Sequence, residues 1–113
     1  MKNRNTADII NPLPVSSIKE AWARFYCIDI KEAENKTRKR PLILYKHVLR
    51  YFLYEKSVLT LKEIINTTGS THHATAYHSH TSVKGWLEVR DEFALKSIEG
   101  INNFLTTKTT AQC

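Results

Sequence analysis

The stretch TLKEIINTTG (60–69) leaves this chain little conformational choice. Thr60 followed three residues later by Glu63 is a capping box, in which each side chain answers a backbone N–H left open at a helix start. Leu61, Ile64 and Ile65 then recur on one helical face. Gly69 supplies a residue able to take positive φ, which ends the unit. Both ends are marked, so a short helix over about 61–67 is predicted. A helix of that length does not hold alone, because nucleation is costly, so its apolar face must be buried against neighbours.

The neighbours are also helical. Downstream, Ser70 or Thr71 is positioned to cap a helix over about 72–87. Ala76, Val83 and Leu87 form its apolar stripe, with Tyr77 and His80 near it, and Gly85 weakens its end. Upstream, Leu44, Val48, Leu49, Phe52 and Leu53 make a stripe over 43–56, with Lys46 and Arg50 assigned to another face. Pro41 prevents that helix from starting earlier. Ser16 or Ser17 is expected to cap a first helix of about 17–26 built on Ile18, Ala21, Trp22 and Phe25. A short helix near 30–35 follows. Asp91 is expected to cap the last helix, with Ala94, Leu95, Ile98, Ile101 and Leu105 inward. Trp22, Phe25, Phe52, Trp86, Phe93 and Phe104 are assigned to the core; Tyr45, Tyr51 and Tyr54 are left open between packing and partner contact. Glycine and proline number three each in 113 residues, too few for a turn-dense β fold. The expectation is an all-α domain of about six helices around a helix-turn-helix, spanning 16–105. A flexible arm (1–15) and a disordered tail (106–113) flank it.

Charge narrows the partners. The formal net charge is +6. Between Lys36 and Arg50 stand Lys36, Arg38, Lys39, Arg40, Lys46 and Arg50, with no acidic residue. Such a balance favours a polyanion, with affinity that falls steeply with salt. Cys27 and Cys113 form neither a disulfide framework nor a zinc pattern, which suits a reducing compartment. The N-terminus shows no secretory signal, and PLILYKHVLRYFLY is too charged to span a bilayer. A cytoplasmic, nucleoid-associated location is expected, without a membrane partner.

The stretch GSTHHATAYHSH (69–80) holds four of the five histidines. A metal site on a helix needs ligands about a turn apart, and His72, His73, His78 and His80 never stand three or four residues apart. No nucleophile–base pair and no G-x-x-x-x-G-K-[ST] loop is present, so no enzyme, metal or cofactor is expected. A short helix, a glycine turn and a second helix instead read as a helix-turn-helix, whose second helix presents its first residues to base edges in a major groove. Those residues are Thr71, His72, His73, Ala74 and Thr75.

In GSTHHATAYHS (69–79), Gly69, His73, Thr75 and His78 match a signature of the form GGRDHTTVLHA. In TLKEIINTTG, Leu61, Glu63, Ile64 and Gly69 match SLPEIGRAFG. FYCIDI (25–30), KTRKR (36–40) and the long 43–56 helix stand upstream in the same order. In these features the chain resembles the C-terminal DNA-binding domain of the bacterial replication initiator DnaA, over roughly residues 17–105. The resemblance implies a Trp-repressor-like helical fold that binds double-stranded DNA. It places Arg38, within Arg38–Lys39–Arg40, in the minor groove. It puts Lys46 and His47 on the phosphate backbone, and His72, His73, Ala74 and Thr75, preceded by Ser70 and Thr71, at the bases. His72 stands for an acid and Ala74 for a threonine, which predicts a different base preference. The expected function is a stand-alone, sequence-preferring DNA-binding module in replication or transcription control, of the kind found in phages and mobile elements. The competing expectation is a structural or interaction protein, such as a phage-type virion or cargo component, that kept the fold and lost base reading. A homo-oligomer or protein partner would then use the N-terminal arm or the last helix.

Overall fold

Five α-helices and one 3-10 helix account for the described residues, which in this computed structural model are 13–36, 40–69 and 73–107, without the side chains of 73, 74 and 107. Of the expected arm (1–15) and tail (106–113), residues 1–12 and 108–113 lie outside this set; within it, the Leu13 N–H donates to the Lys56 carbonyl, Val15 opens the first helix, and 106–107 belong to the last. In order come α1 (Val15–Tyr26), the 3-10 helix (Ile30–Glu34), α2 (Leu42–Lys56), α3 (Leu61–Thr67), α4 (His73–Glu88) and α5 (Glu92–Thr107). No strand occurs among the described residues. The all-α expectation and the order of its elements therefore hold.

α2 is the axle. It packs most extensively on α4 and also touches α1, α3, α5 and the 3-10 helix. Its Val48, Leu49, Phe52 and Leu53 meet Ile18 and Trp22 of α1, Ile64 and Ile65 of α3, Ala76 and Val83 of α4, and Ile101 of α5 in one buried cluster. The aromatic residues assigned to the core all join it, Phe52 and Trp22 fully buried and the others packed against them. Tyr45 resolves toward packing: its ring stacks on Tyr26 at 3.9 Å, and its carbonyl accepts the Trp22 indole N–H at 2.6 Å. Tyr51 and Tyr54 lie against the His80 ring at 5.2 and 4.0 Å, and His80 Nε2 stands 2.7 Å from Glu55 Oε2.

Three local expectations need correction, and a fourth holds with an addition. α1 is not capped by Ser16 or Ser17; Pro14 is its N-cap, in extended conformation and with no side-chain bond, and both serines lie inside the helix. Proline suits a helix start because it has no N–H to leave unpaired and its φ is already fixed. Leu95 is not inward but 39% exposed. Tyr77 is not on the buried stripe of α4 but 44% exposed. Lys46 and Arg50 do lie off the apolar stripe of α2, but that second face is buried too, at 1% and 3% exposure. The reason is that α4 and the 3-10 helix cover it. By contrast Asp91 caps α5 as expected, its Oδ2 accepting the Ala94 N–H at 3.0 Å.

Candidate nucleic-acid interface

The short helix α3 is built as its sequence dictates. Thr60 Oγ1 accepts the Glu63 N–H at 3.2 Å, and Glu63 Oε1 accepts the Thr60 N–H at 2.9 Å. These bonds to Thr60 favour the ionised carboxylate and hold the Glu63 pKa below its ordinary value. At the other end Thr68 turns its hydroxyl back to the Ile64 carbonyl at 2.7 Å, and Gly69 takes φ of 70°. The turn is also pressed onto another part of the chain. A Cβ on Gly69 would lie 2.7 Å from the Glu34 carbonyl carbon and 3.2 Å from its Cα. Both atoms are backbone, so neither has a flexible end to move aside. The turn between α3 and α4 thus rests on the last residue of the 3-10 helix, two residues before the basic run opens at Lys36.

A polar clamp on α2 fixes the same region from beneath. Arg50 Nε donates to Thr68 Oγ1 at 3.0 Å, its Nη2 to the Thr68 carbonyl at 3.2 Å, and its Nη1 to Ser79 Oγ at 3.5 Å. One guanidinium therefore joins α2, the end of α3 and the middle of α4. One turn earlier, His47 Nδ1 pairs with the same Ser79 hydroxyl at 2.8 Å. Beside His47 on the chain stands Lys46, whose ammonium donates to the Asn35 carbonyl at the root of the basic run. Burial explains their electrostatics, since taking a cation out of water favours its neutral form. The Lys46 pKa is pushed down to about 8, by burial first and the Arg50 charge second, against a smaller pull from Glu32. His47 is lowered by burial and then by Arg50. Arg50 is lowered by burial to about 10 and remains charged at neutral pH.

The sequence-predicted contact residues divide in three. Arg38, Lys39, Ser70, Thr71 and His72 lie outside the described residues. His73 and Ala74 open α4, Thr75 follows half-buried, and Arg40 is exposed one residue before Pro41. Lys46 and His47 are placed differently from the phosphate-contact expectation. Lys46 is sealed in with its ammonium on Asn35, and His47 is half-buried with one ring nitrogen on Ser79. Lys46 ties α2 to Asn35 ahead of the basic run, and His47 ties it to Ser79 in the middle of α4. The residues that sequence reasoning missed are Arg50, Thr68 and Ser79. The i,i+4 spacing of Lys46 and Arg50 put both cations on one face of α2, but nothing local in the sequence marked that face as covered.

Among the described residues, no three histidine, cysteine, aspartate or glutamate side chains converge as a metal site would require, and no helix is long and apolar enough to cross a membrane. The exposed side of α4 carries Tyr77, His78, Thr81 and Lys84. Its first carboxylate is Glu88, at the final residue of the helix.

Comparison with known proteins points along the same chain. The sequence is 23% identical over 107 residues, 95% of its length, to the chromosomal replication initiator protein DnaA of Enterococcus faecalis. It is 22% identical over 105 residues, 93% of its length, to the DnaA protein of Levilactobacillus brevis. The match falls on the C-terminal part of these relatives, and the chain spans about a quarter of their length, 24% and 23% respectively. No family model matches the chain.

Proposed function

We propose that this chain is a double-stranded DNA-binding module that prefers particular sequences, with α4 laid in the major groove and the basic run on the phosphates and in the minor groove. The observation that carries the proposal is the way α3, the Gly69 turn and α4 are locked on α2 and against Glu34. One contact region sets the position of α4 and of the root of the basic run together. A reading head and a backbone-gripping segment must keep a fixed spacing to engage one duplex, and this packing supplies it. The similarity to DnaA along nearly the whole chain supports the same reading. Within it, Arg38, Lys39 and Arg40 supply cations to the duplex, and Ser70, Thr71, His72, His73, Ala74 and Thr75 face the bases and their flanking phosphates. Lys46 and His47 act at one remove, by holding that frame. The role is in replication or transcription control.

Fluorescence anisotropy with random duplex at two salt concentrations tests binding, and selection from a random duplex library tests sequence preference. Binding should weaken steeply with salt, in proportion to the number of phosphates neutralised. Arg38→Ala or His73→Ala should cost on the order of 1–3 kcal/mol on the selected sequence. Absence of duplex binding at both salt concentrations would refute the proposal.

A further inference from the structure

We propose that the base-reading surface extends a full turn along α4, with Tyr77 and His78 as additional specificity-determining residues; this rests on the DNA-binding reading above. α4 runs without a break from His73 to Glu88, so position 77 lies one turn beyond 73 and position 78 one turn beyond 74 on the same face. The opposite face is spent on the core through Ala76, Ser79 and Val83, all fully buried. Tyr77 is 44% exposed and His78 is exposed, so their contacts within the fold leave much of both rings outward. The rings stand 6.5 Å apart in an edge-on arrangement, so each limits the directions open to the other.

The occupant of this face follows from its chemistry. A large aromatic ring with a hydroxyl, an imidazole and the Thr81 hydroxyl lie together, and Lys84 follows one turn on. No carboxylate appears on α4 before Glu88. A surface of hydrogen-bonding groups and apolar ring area without negative charge suits the floor of a major groove, where purine N7 and O6 accept and a thymine methyl offers an apolar contact. It is also continuous with the residues at the start of α4 that the DNA-binding reading already uses. A second turn that reaches base edges lengthens the recognised sequence. It gives this chain, which carries histidine at position 72 and alanine at position 74, another source of discrimination.

The test uses the whole chain and the variants Tyr77→Ala, Tyr77→Phe and His78→Ala. Sequences are selected from a random duplex library with the parent protein, and affinities are then measured on the selected duplex and on random duplex. Tyr77 is exposed, so the variants should melt with the parent. Tyr77→Ala should weaken binding to the selected duplex by about 5- to 150-fold, the range of one lost base contact, and leave random duplex nearly unchanged. The sequence selected by Tyr77→Ala should lose preference at a base pair next to, and not at, the one lost by His73→Ala. Tyr77→Phe separates the ring from its hydroxyl: retained preference assigns the contact to the ring, and lost preference assigns it to the hydroxyl. If Tyr77→Ala and His78→Ala select and bind as the parent does while His73→Ala is impaired, the inference fails and the DNA-binding reading stands. If the variants bind DNA normally but the parent's self-association disappears with Tyr77, the face is a protein contact and the inference fails. If the parent binds no duplex, both fail.

Discussion

Gly69→Ala tests the junction on which the proposed interface depends. Two costs follow from the structure. An L-residue held at φ of 70° is strained by about 1–2 kcal/mol. The new methyl would also press on the Glu34 backbone, with 2.7 Å to its carbonyl carbon, and overpacking of that kind costs about 1–3 kcal/mol. Together they remove roughly 2–5 kcal/mol from a domain whose whole stability is of order 5–15 kcal/mol. For a chain of this size that corresponds to a drop in Tm of about 10 °C or more, measurable by far-UV circular dichroism. Gly69→Asn separates the two costs. Asparagine tolerates the left-handed conformation but brings the same Cβ, so it should fall between the parent and Gly69→Ala. Binding to duplex should weaken in both variants even at temperatures where they are fully folded, because relieving the contact moves the turn relative to the basic run. A Gly69→Ala protein that melts within about 3 °C of the parent would mean that the turn is free to adjust, contrary to the strain argument. An asparagine variant as stable as the parent would refute the Glu34 contact while sparing the conformational argument.

Two further outcomes follow from the clamp on α2. Arg50→Met keeps the apolar stem but takes the guanidinium donors away from the Thr68 carbonyl and the Thr68 hydroxyl oxygen, while the Ser79 hydroxyl keeps His47. Each buried polar group so orphaned costs about 1–3 kcal/mol. Relief from burying a cation offsets part of that, so urea unfolding should show a net loss of roughly 1–3 kcal/mol. Arg50→Lys should not restore it, because a point ammonium does not span Thr68 and Ser79 as the fork does; stability equal to the parent in either variant would refute the clamp. His47 gives a pH dependence with a definite sign. Its folded pKa lies below the ordinary 6.5, so in mildly acidic solution the unfolded chain binds the proton that the folded one resists. Stability should therefore fall as pH drops below about 6.5 toward the folded pKa, and His47→Gln should flatten that slope in urea titrations between about pH 5 and 8. An unchanged slope in the variant would place the acid sensitivity elsewhere.

What was legible in the sequence is what short-range physics determines. The capping box at Thr60 and Glu63, the positive φ at Gly69 and the cap at Asp91 depend on residues within three or four positions of one another, and each forms as the pattern requires. The apolar stripes of α1, α2 and α4 likewise report a periodicity that needs no knowledge of the partner. Lys46 and Arg50 show where that legibility stops. A cation off the main stripe is normally solvated, and only the arrival of α4 and the 3-10 helix on the second face of α2 makes these two interior. Tyr77 is the reverse case: an aromatic beside the apolar stripe of α4 would be drawn inward by its hydrophobicity, yet the neighbouring positions 76, 79 and 83 already fill the space against α2 with small and medium side chains. In both instances the deciding partner lies more than ten residues away. The consequence for the interface is direct. Lys46, expected on the phosphate backbone, bonds Asn35 from inside, Arg50 holds the end of α3 and the middle of α4, and Tyr77, expected near the apolar stripe, stands on the outer face of α4. Under the proposed DNA-binding reading, the chemistry available to a duplex lies along α4, away from α2 and toward Tyr77 and His78.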